Sequence, residues 1–335
     1  MSRAADLLVC AGSLTLDNVM TAEDRVLPRM PGGNVIYSGL GARLWHPRVG
    51  LVSRAGADFP EESLARLGRR GLDVAGVRRL PDPHGMNVAF RYAPDGSRVR
   101  RFPPEAVALI PEAERARFVD YGAGAVEDRF RVWSAFAPDG ADLPDAWLPA
   151  LAGLHCAAMP VAHHRSIAAR VRVEAPNAWV QVDSPWYDER ELARDEASPL
   201  LALIDALLPS LDDLVRAAPA TAIEGSIADL VGRGARLLVL KLGDKGCRLL
   251  RPGAAPVAVP ACQGTPVVEL TGAGDAFCGG FLAGLHLTGD PFEAALRGTV
   301  SASFAIEAPG FEGLMRDRRD EAEARLDALR LRAQR

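Results

Sequence analysis

Glu269-Leu270-Thr271-Gly272-Ala273-Gly274-Asp275-Ala276-Phe277, running on into Cys278-Gly279-Gly280-Phe281-Leu282-Ala283-Gly284-Leu285, reads as a loop of small residues that opens an apolar helix. The first N–H groups of a helix have no partner inside it and point outward at the positive end of the helix dipole, so such a loop is an anion hole. Glycines at 272 and 274 let the main chain approach a phosphate closely, and the carboxylate of Asp275 stands where it can take a proton from a hydroxyl attacking that phosphate. Taken alone, the segment reads equally well as Asp275 capping a helix whose glycines serve close packing. Competing nucleotide signatures are missing: there is no Gly-x-x-x-x-Gly-Lys-Ser/Thr, and Gly272-x-Gly274 is followed by Phe277 where a dinucleotide fingerprint has its third glycine. Neither a Gly-x-Ser-x-Gly elbow nor a His-Glu-x-x-His occurs, and His163-His164 reads as a surface pair and not a metal site.

Outward from this loop, short apolar runs recur at Leu7 to Ala11, Val49 to Val52, Trp179 to Val182, Leu203 to Leu208 and Leu237 to Leu240, with Ala- and Leu-rich helical stretches between several of them. Strands joined by helical crossovers predict a parallel sheet covered on both faces, a three-layer α/β fold. Residues 85 to 102 break the pattern by alternating polar and apolar around Pro94-Asp95-Gly96, a hairpin signal. With residues 18 to 31 they predict a small β-element beside the main sheet. The stretch from 103 to 150 has only patchy periodicity and reads as an insertion or elaborated loop. At the end, Ala322, Leu326, Leu329 and Ala333 share one helical face, predicting an amphipathic helix that caps the fold.

Composition narrows the class of partner. The chain has 335 residues, 48% hydrophobic and 24% charged, which is ordinary globular usage with room for a sizeable core. A net charge of -4, from 43 acids against 39 bases, provides no field for nucleic acid or an anionic membrane, so a small molecule is the expected partner. Five scattered cysteines without a Cys-x-x-Cys pair read as buried thiols of a reducing compartment. No run approaches the length of a membrane span, and Met1 to Asp6 lacks a signal-peptide plan, so a cytoplasmic protein is expected.

Thr271-Gly272-Ala273-Gly274-Asp275-Ala276-Phe277 resembles the carboxy-terminal signature of the ribokinase (PfkB) family of carbohydrate kinases. Three further features fall in that family's order: Gly12-Ser13 with Asp17 after the first strand, Gly32-Gly33-Asn34 opening a helix, and Leu242-Gly243-Asp244-Lys245-Gly246 after a late strand. The resemblance implies a single ribokinase-like domain over 1–335, a three-layer αβα sandwich with a mostly parallel central sheet and a small β-lid. It implies an ATP-dependent sugar kinase using Mg²⁺, with Asp275 as the base and the N–H groups of Gly272, Ala273 and Gly274 stabilising the transferring γ-phosphoryl group. Base, anion hole and Mg²⁺ suffice for phosphoryl transfer, which needs positioning and charge neutralisation.

By the same resemblance Asp17, Gly32, Gly33, Asn34, Tyr37 and Asp183 are candidates for the acceptor site, whose ligand is a sugar or sugar-like alcohol. Ser210, Lys241, Gly243, Gly246, Thr271 and Ser303 are candidates for the nucleotide site, with the small face of Ser301 to Ile306 and the turn at Gly310 beside it. Gly39, Gly41 and Ala42 read as helix-packing residues. Departures mark the substrate and metal. Ser210-Leu211-Asp212-Asp213 replaces the family's Asn-x-x-Glu, leaving Asp213 as a shorter carboxylate toward hydrated Mg²⁺. Glu269 stands where an acid serves a monovalent cation in some relatives, which makes K⁺ a candidate ion. Tyr37 replaces a sugar-contacting Asn, which argues against ribose itself. Arg91, Arg98, Arg100 and Arg101 flank the lid turn, either as a solvated face or toward an anionic acceptor. Two rivals remain: a nucleoside kinase of the same family, with Tyr37 or Phe90 as a wall for the base, and a non-catalytic nucleotide-binding relative. A homodimer through the lid is a further expectation from the family.

Overall fold

Strand and helix alternate as the apolar runs predict in the computed structural model, which describes residues 6–93, 98–120, 125–186, 197–217 and 223–333. The first half runs β1 (Leu7–Ala11), β2 (Thr15–Met20), β3 (Val26–Gly32), α1 (Asn34–Arg43), β4 (Val49–Ala55), α2 (Glu61–Arg69), β5 (Leu72–Arg79), β6 (Asn87–Tyr92) and β7 (Arg98–Val99). Then come α3 (Pro104–Leu109), α4 (Glu112–Arg115), α5 (Val126–Phe136), β8 (Leu151–Cys156), α6 (Val161–Glu174), β9 (Trp179–Val182) and α7 (Ala197–Leu201). β10 (Ala206–Leu207), α8 (Leu211–Ala217), α9 (Ile223–Gly232), β11 (Leu238–Lys241), β12 (Cys247–Leu250) and β13 (Val257–Val259) follow. The chain closes with α10 (Ala273–Thr288), α11 (Pro291–Ala305), α12 (Glu312–Met315) and α13 (Arg319–Ala333).

Nine strands form the large sheet in the order β13-β12-β11-β10-β9-β8-β1-β4-β5. Pairing is parallel from β5 across to β11 and antiparallel for β12 and β13. Alternation along β1 explains why both faces are covered: Leu8 and Cys10 join one core with Ile36, Leu40, Phe281 and Leu282, while Leu7, Val9 and Ala11 join another with Leu154, Ile167 and Val171. A second sheet, β3-β2-β6-β7, is the expected small β-element. The Pro94-Asp95-Gly96 turn lies outside the described residues, but β6 and β7 on either side of it pair antiparallel as the hairpin reading requires.

Helices α1 and α10 pack backbone to backbone. A Cβ on Gly279 would sit 1.8 Å from the Ser38 carbonyl oxygen, and one on Gly41 would sit 2.3 Å from that of Ala276. The packing role read for Gly41 is therefore correct. In α13, Ala322, Leu326 and Leu329 are buried and Ala333 packs against the same core, as the capping reading expects.

Three expectations are corrected. The run Leu203 to Leu208 yields only the two-residue β10, because Leu203 turns back on Leu200 and the Asp205 carboxylate is taken by the Val180 N–H and by Arg172. The stretch from 103 to 150 is no mere loop: it holds α3, α4 and α5 and two 3₁₀ turns, and Trp133, Phe136, Leu143 and Trp147 bury their side chains in the core behind β1. Two of its helices span six residues or fewer, too short to show a helical period. His163-His164 is not a surface pair, since His164 is fully buried and donates to the Ala157 carbonyl oxygen at 2.8 Å.

Candidate active site

α10 begins where Gly272 turns the chain through the left-handed region, at φ 72° and ψ 2°. Helical bonding starts with the Ala276 N–H donating to the Gly272 carbonyl oxygen at 2.8 Å, so the N–H groups of Gly274 and Asp275 belong to the open first turn. Gly272 is fixed twice over, by that φ and because a Cβ there would lie 2.1 Å from the Tyr37 ring. Tyr37 is buried beneath the loop, edge-on to Phe311 at 6.2 Å between centroids, so its ring supports the Gly272 turn. Phe90 is also buried, packed edge-to-face with Tyr92.

Asp275 faces a charged cluster delivered by the carboxyl ends of three parallel strands. Asp183 follows β9, Ser210 follows β10, and Lys241 ends β11. Lys241 Nζ donates to Asp183 Oδ2 at 2.7 Å, with both side chains buried or nearly so, and lies 3.5 Å from Cys278 Sγ one helical turn past Asp275. It also lies 3.5 Å from where a Gly274 Cβ would be, which places the ammonium against the anion hole. Burial works against that charge, but Asp183 outweighs it and holds Lys241 protonated well above the ordinary lysine range.

The Asp275 carboxyl is pushed up to about 7, first by burial and then by the negative charges of Asp183 and Asp213, with Lys241 pulling the other way. A carboxylate that takes up a proton near neutrality is what a general base requires. Asp213 goes in the opposite direction. Burial alone would raise it, but its Oδ2 accepts from Ser210 Oγ at 2.5 Å, from the Ser210 N–H at 3.0 Å and from Ser184 Oγ at 2.9 Å, and these bonds with Lys241 hold it below the ordinary range. Ser210 replaces an amide by closing this hydroxyl-carboxylate bracket.

The acceptor-side candidates assemble at the start of α1. A Cβ on Gly32 would fall 2.6 Å from Asp17 Oδ2, and Thr15 Oγ1 donates to Asp17 Oδ1 at 2.8 Å, so Asp17 sits on lid strand β2 directly over the Gly32-Gly33 turn. Asn34 works structurally: its Oδ1 accepts from the Ser13 N–H and its Nδ2 donates to the Ala158 carbonyl oxygen, both at 2.8 Å, tying the β1 loop to the end of β8.

Other nucleotide-side candidates lie apart from this cluster. Ser303 Oγ donates to the Val300 carbonyl oxygen and accepts from Arg325 of α13, both at 2.8 Å. Glu269 is buried and accepts the Gly310 N–H at 2.8 Å, joining the loop before α10 to the turn after α11. Gly243 and Gly246 close a one-turn 3₁₀ element after Lys241. Among the lid arginines, Arg91 donates to the Arg101 carbonyl oxygen and Arg100 pairs with Asp120 at 2.9 Å, while the Arg98 side chain lies outside the described residues. Sequence reasoning placed Asp183 and Ser184 at this edge, but missed Cys278 and gave Lys241 no partner. The one available signal was a lysine ending the apolar run Leu238-Val239-Leu240.

An open helix start, a buried carboxyl pushed toward neutrality in its first turn and a lysine beside it suit a phosphotransferase acting on a hydroxyl. Residues 9–316 match the family described as pfkB family carbohydrate kinase, and the chain belongs to that family. It is 26% identical over 292 residues to a cytidine kinase of Thermococcus kodakarensis, covering 87% of this chain and 92% of that protein. It is 39% identical over 93 residues to an acarbose 7(IV)-phosphotransferase of Actinoplanes sp., covering 27% of this chain and 31% of that protein. Among solved structures, a ribokinase-like protein of Escherichia coli in complex with ATP and Mg²⁺ superposes with a TM-score of 0.68 at 18% identity, over 96% of this chain and 99% of that one. Among the described residues, no helix is long and apolar enough to cross a membrane.

Proposed function

We propose that this enzyme transfers the γ-phosphoryl group of ATP to the hydroxymethyl group of a nucleoside or free sugar, with Asp275 as the base. The observation that carries the reading is the position of Asp275 in the open first turn of α10 beside the Lys241 ammonium, where burial and Asp183 push its carboxyl up to about 7. Asp275 accepts the proton of the attacking hydroxyl as the oxygen–phosphorus bond forms, while the first-turn N–H groups and Lys241 take up charge on the equatorial oxygens. When phosphate draws Lys241 toward the hole, Asp183 loses part of its counter-charge, and its freed negative charge raises the basicity of Asp275. The oxygen-only set of Asp213, Ser210 and Ser184 suits a hydrated Mg²⁺, which would supply further neutralisation of the triphosphate. Asp17 on the lid strand is placed to accept hydrogen bonds from acceptor hydroxyls, and closure of the lid sheet would exclude water.

Of the two acceptor classes, the nucleoside is favoured. The relative aligned over 87% of the chain is a cytidine kinase, whereas the acarbose kinase aligns over 27%. Coupled ADP release with MgATP over pentoses, hexoses, hexose phosphates and nucleosides tests the reading, with Asp275→Asn as control. Turnover on a nucleoside that vanishes in the control is expected. Turnover retained in the control would refute the assignment of the base, and turnover on free sugars alone would overturn the nucleoside preference.

A further inference from the structure

The edge of the sheet opposite the phosphoryl site carries a cluster that the reaction does not use. Asp6 immediately precedes β1, His46 lies just past the end of α1, and His286 lies in the last turn of α10. His286 Nε2 is 3.2 Å and His46 Nε2 is 3.5 Å from the same oxygen, Asp6 Oδ1, and the three donor atoms all lie within 4.8 Å of one another. The rings meet edge-to-face at 84°, and His46 Nε2 lies 2.9 Å from the Asp6 carbonyl oxygen as well, so both rings gather at Asp6. The side chain of His46 is 4% exposed, that of His286 14% and that of Asp6 35%, leaving one open side.

We propose that Asp6, His46 and His286 bind one Zn²⁺-class divalent ion. Tetrahedral Zn²⁺ holds N and O ligands at about 2.0–2.2 Å, which sets ligand atoms roughly 3.3–3.5 Å apart. The separations of 3.2 and 3.5 Å to Asp6 Oδ1 are close to that spacing, and the two imidazole nitrogens, within 4.8 Å of each other, would draw together on the ion. Two imidazoles and a carboxylate suit zinc and its neighbours better than Mg²⁺, which prefers oxygen alone. Without metal, the His46 Nε2–H donates to the Asp6 carbonyl oxygen at 2.9 Å and the His286 Nε2–H donates to Oδ1. On binding, each ring shifts its proton to Nδ1 and presents the Nε2 lone pair, so neutral rings release no proton. The fourth position falls on the open side and takes water. The ion would clamp the start of β1 to the far ends of α1 and α10, the helices whose near ends carry Asn34 and Asp275. His286 lies about 16 Å along α10 from Asp275, so the clamp acts on stability and not on the reacting groups.

The test uses the full chain without a histidine tag, stripped with chelator and titrated calorimetrically with ZnCl₂ in excess Mg²⁺, which occupies the carboxylates at the catalytic edge. One equivalent per chain is expected, with a rise in melting temperature on the order of 4 °C at about a hundredfold excess over Kd. His286→Ala and Asp6→Asn, both at the open side, should each lose that equivalent while their metal-free melting stays near that of the parent. A Zn²⁺ equivalent that survives in His286→Ala, absence of saturable binding in the parent, or a sulfur-to-metal charge-transfer band in the Co²⁺ derivative would each overturn the site. The last outcome would place the ion at a cysteine.

Discussion

Asp275→Asn should make the protein more stable, and by an amount that depends on pH. The exposed carboxyl titrates at 3.8, and in the folded chain burial, then Asp183 and Asp213, raise it to about 7. The folded state therefore holds its proton more tightly than the unfolded state, so the stability contributed by the protonated form is present below 3.8 and lost as pH rises to 7. Linkage puts the deficit at about 4 kcal/mol at pH 8 and about 0.5 kcal/mol at pH 4, and water at the mouth of the site trims the upper figure toward about 2 kcal/mol. Asn keeps the shape and carries no charge. Urea unfolding of both proteins at pH 4, 6 and 8 reads the difference directly, and ADP release on the same samples should show turnover reduced by about 10²–10⁴. Equal stability at pH 8, or a difference that does not change with pH, would refute the claim that Asp275 is held in a site hostile to its charge.

Lys241→Met removes one member of a buried pair and leaves Asp183 uncompensated, so it should cost about 3–5 kcal/mol in unfolding free energy and about 10²-fold or more in turnover. A loss below about 1 kcal/mol in urea titration would show the pair to be solvated. Gly272→Ala forces a side chain into the left-handed region and against Tyr37, and should lower stability by about 3 kcal/mol, read by thermal unfolding, together with kcat/KM. His84 and His164, both lowered to about 4 mainly by burial, bind fewer protons folded than unfolded between 4 and 6.5. Stability should thus fall as pH drops through that window, by about 1.4 kcal/mol per pH unit for each group. The slope is best measured in the Asp275→Asn protein, where the opposing carboxyl is gone.

How far the site was legible follows from what kind of constraint each residue answers. Gly272 and Asp275 could be read because a left-handed turn into a helix admits few residue types, and the apolar strands because both sheet faces are covered. Lys241, Asp183 and Cys278 meet only because β9 and β11 flank β10 and α10 crosses their ends, a juxtaposition set by strand order and not by spacing. That Tyr37 packs under the Gly272 loop could not be read, because helix position alone does not say what a ring lies against. The helices between 103 and 150 were hidden because they bury a few large aromatics in place of a repeating stripe. Trp147 fills the space that side chains at Gly50 and Gly76 would have taken.

The glycines of α1 and α10 connect these observations. With Ser38 against Gly279 and Ala276 against Gly41, the two helices sit at main-chain contact at these points, where no side chain separates them. α1 begins at the Gly32-Gly33-Asn34 turn beside Asp17, and α10 begins at the Gly272 turn before Asp275, so on the proposed reading the acceptor and phosphate ends are carried on one helix pair. Phosphoryl transfer gains from fixed positioning more than from any single group. A side chain at Gly279 would accordingly act at a distance: it touches neither ligand, yet it would part the helices and separate Asp17 from Asp275. Loss of turnover in Gly279→Ala with MgATP binding retained is the expected signature, and unchanged turnover would show that the two ends are not held by this contact.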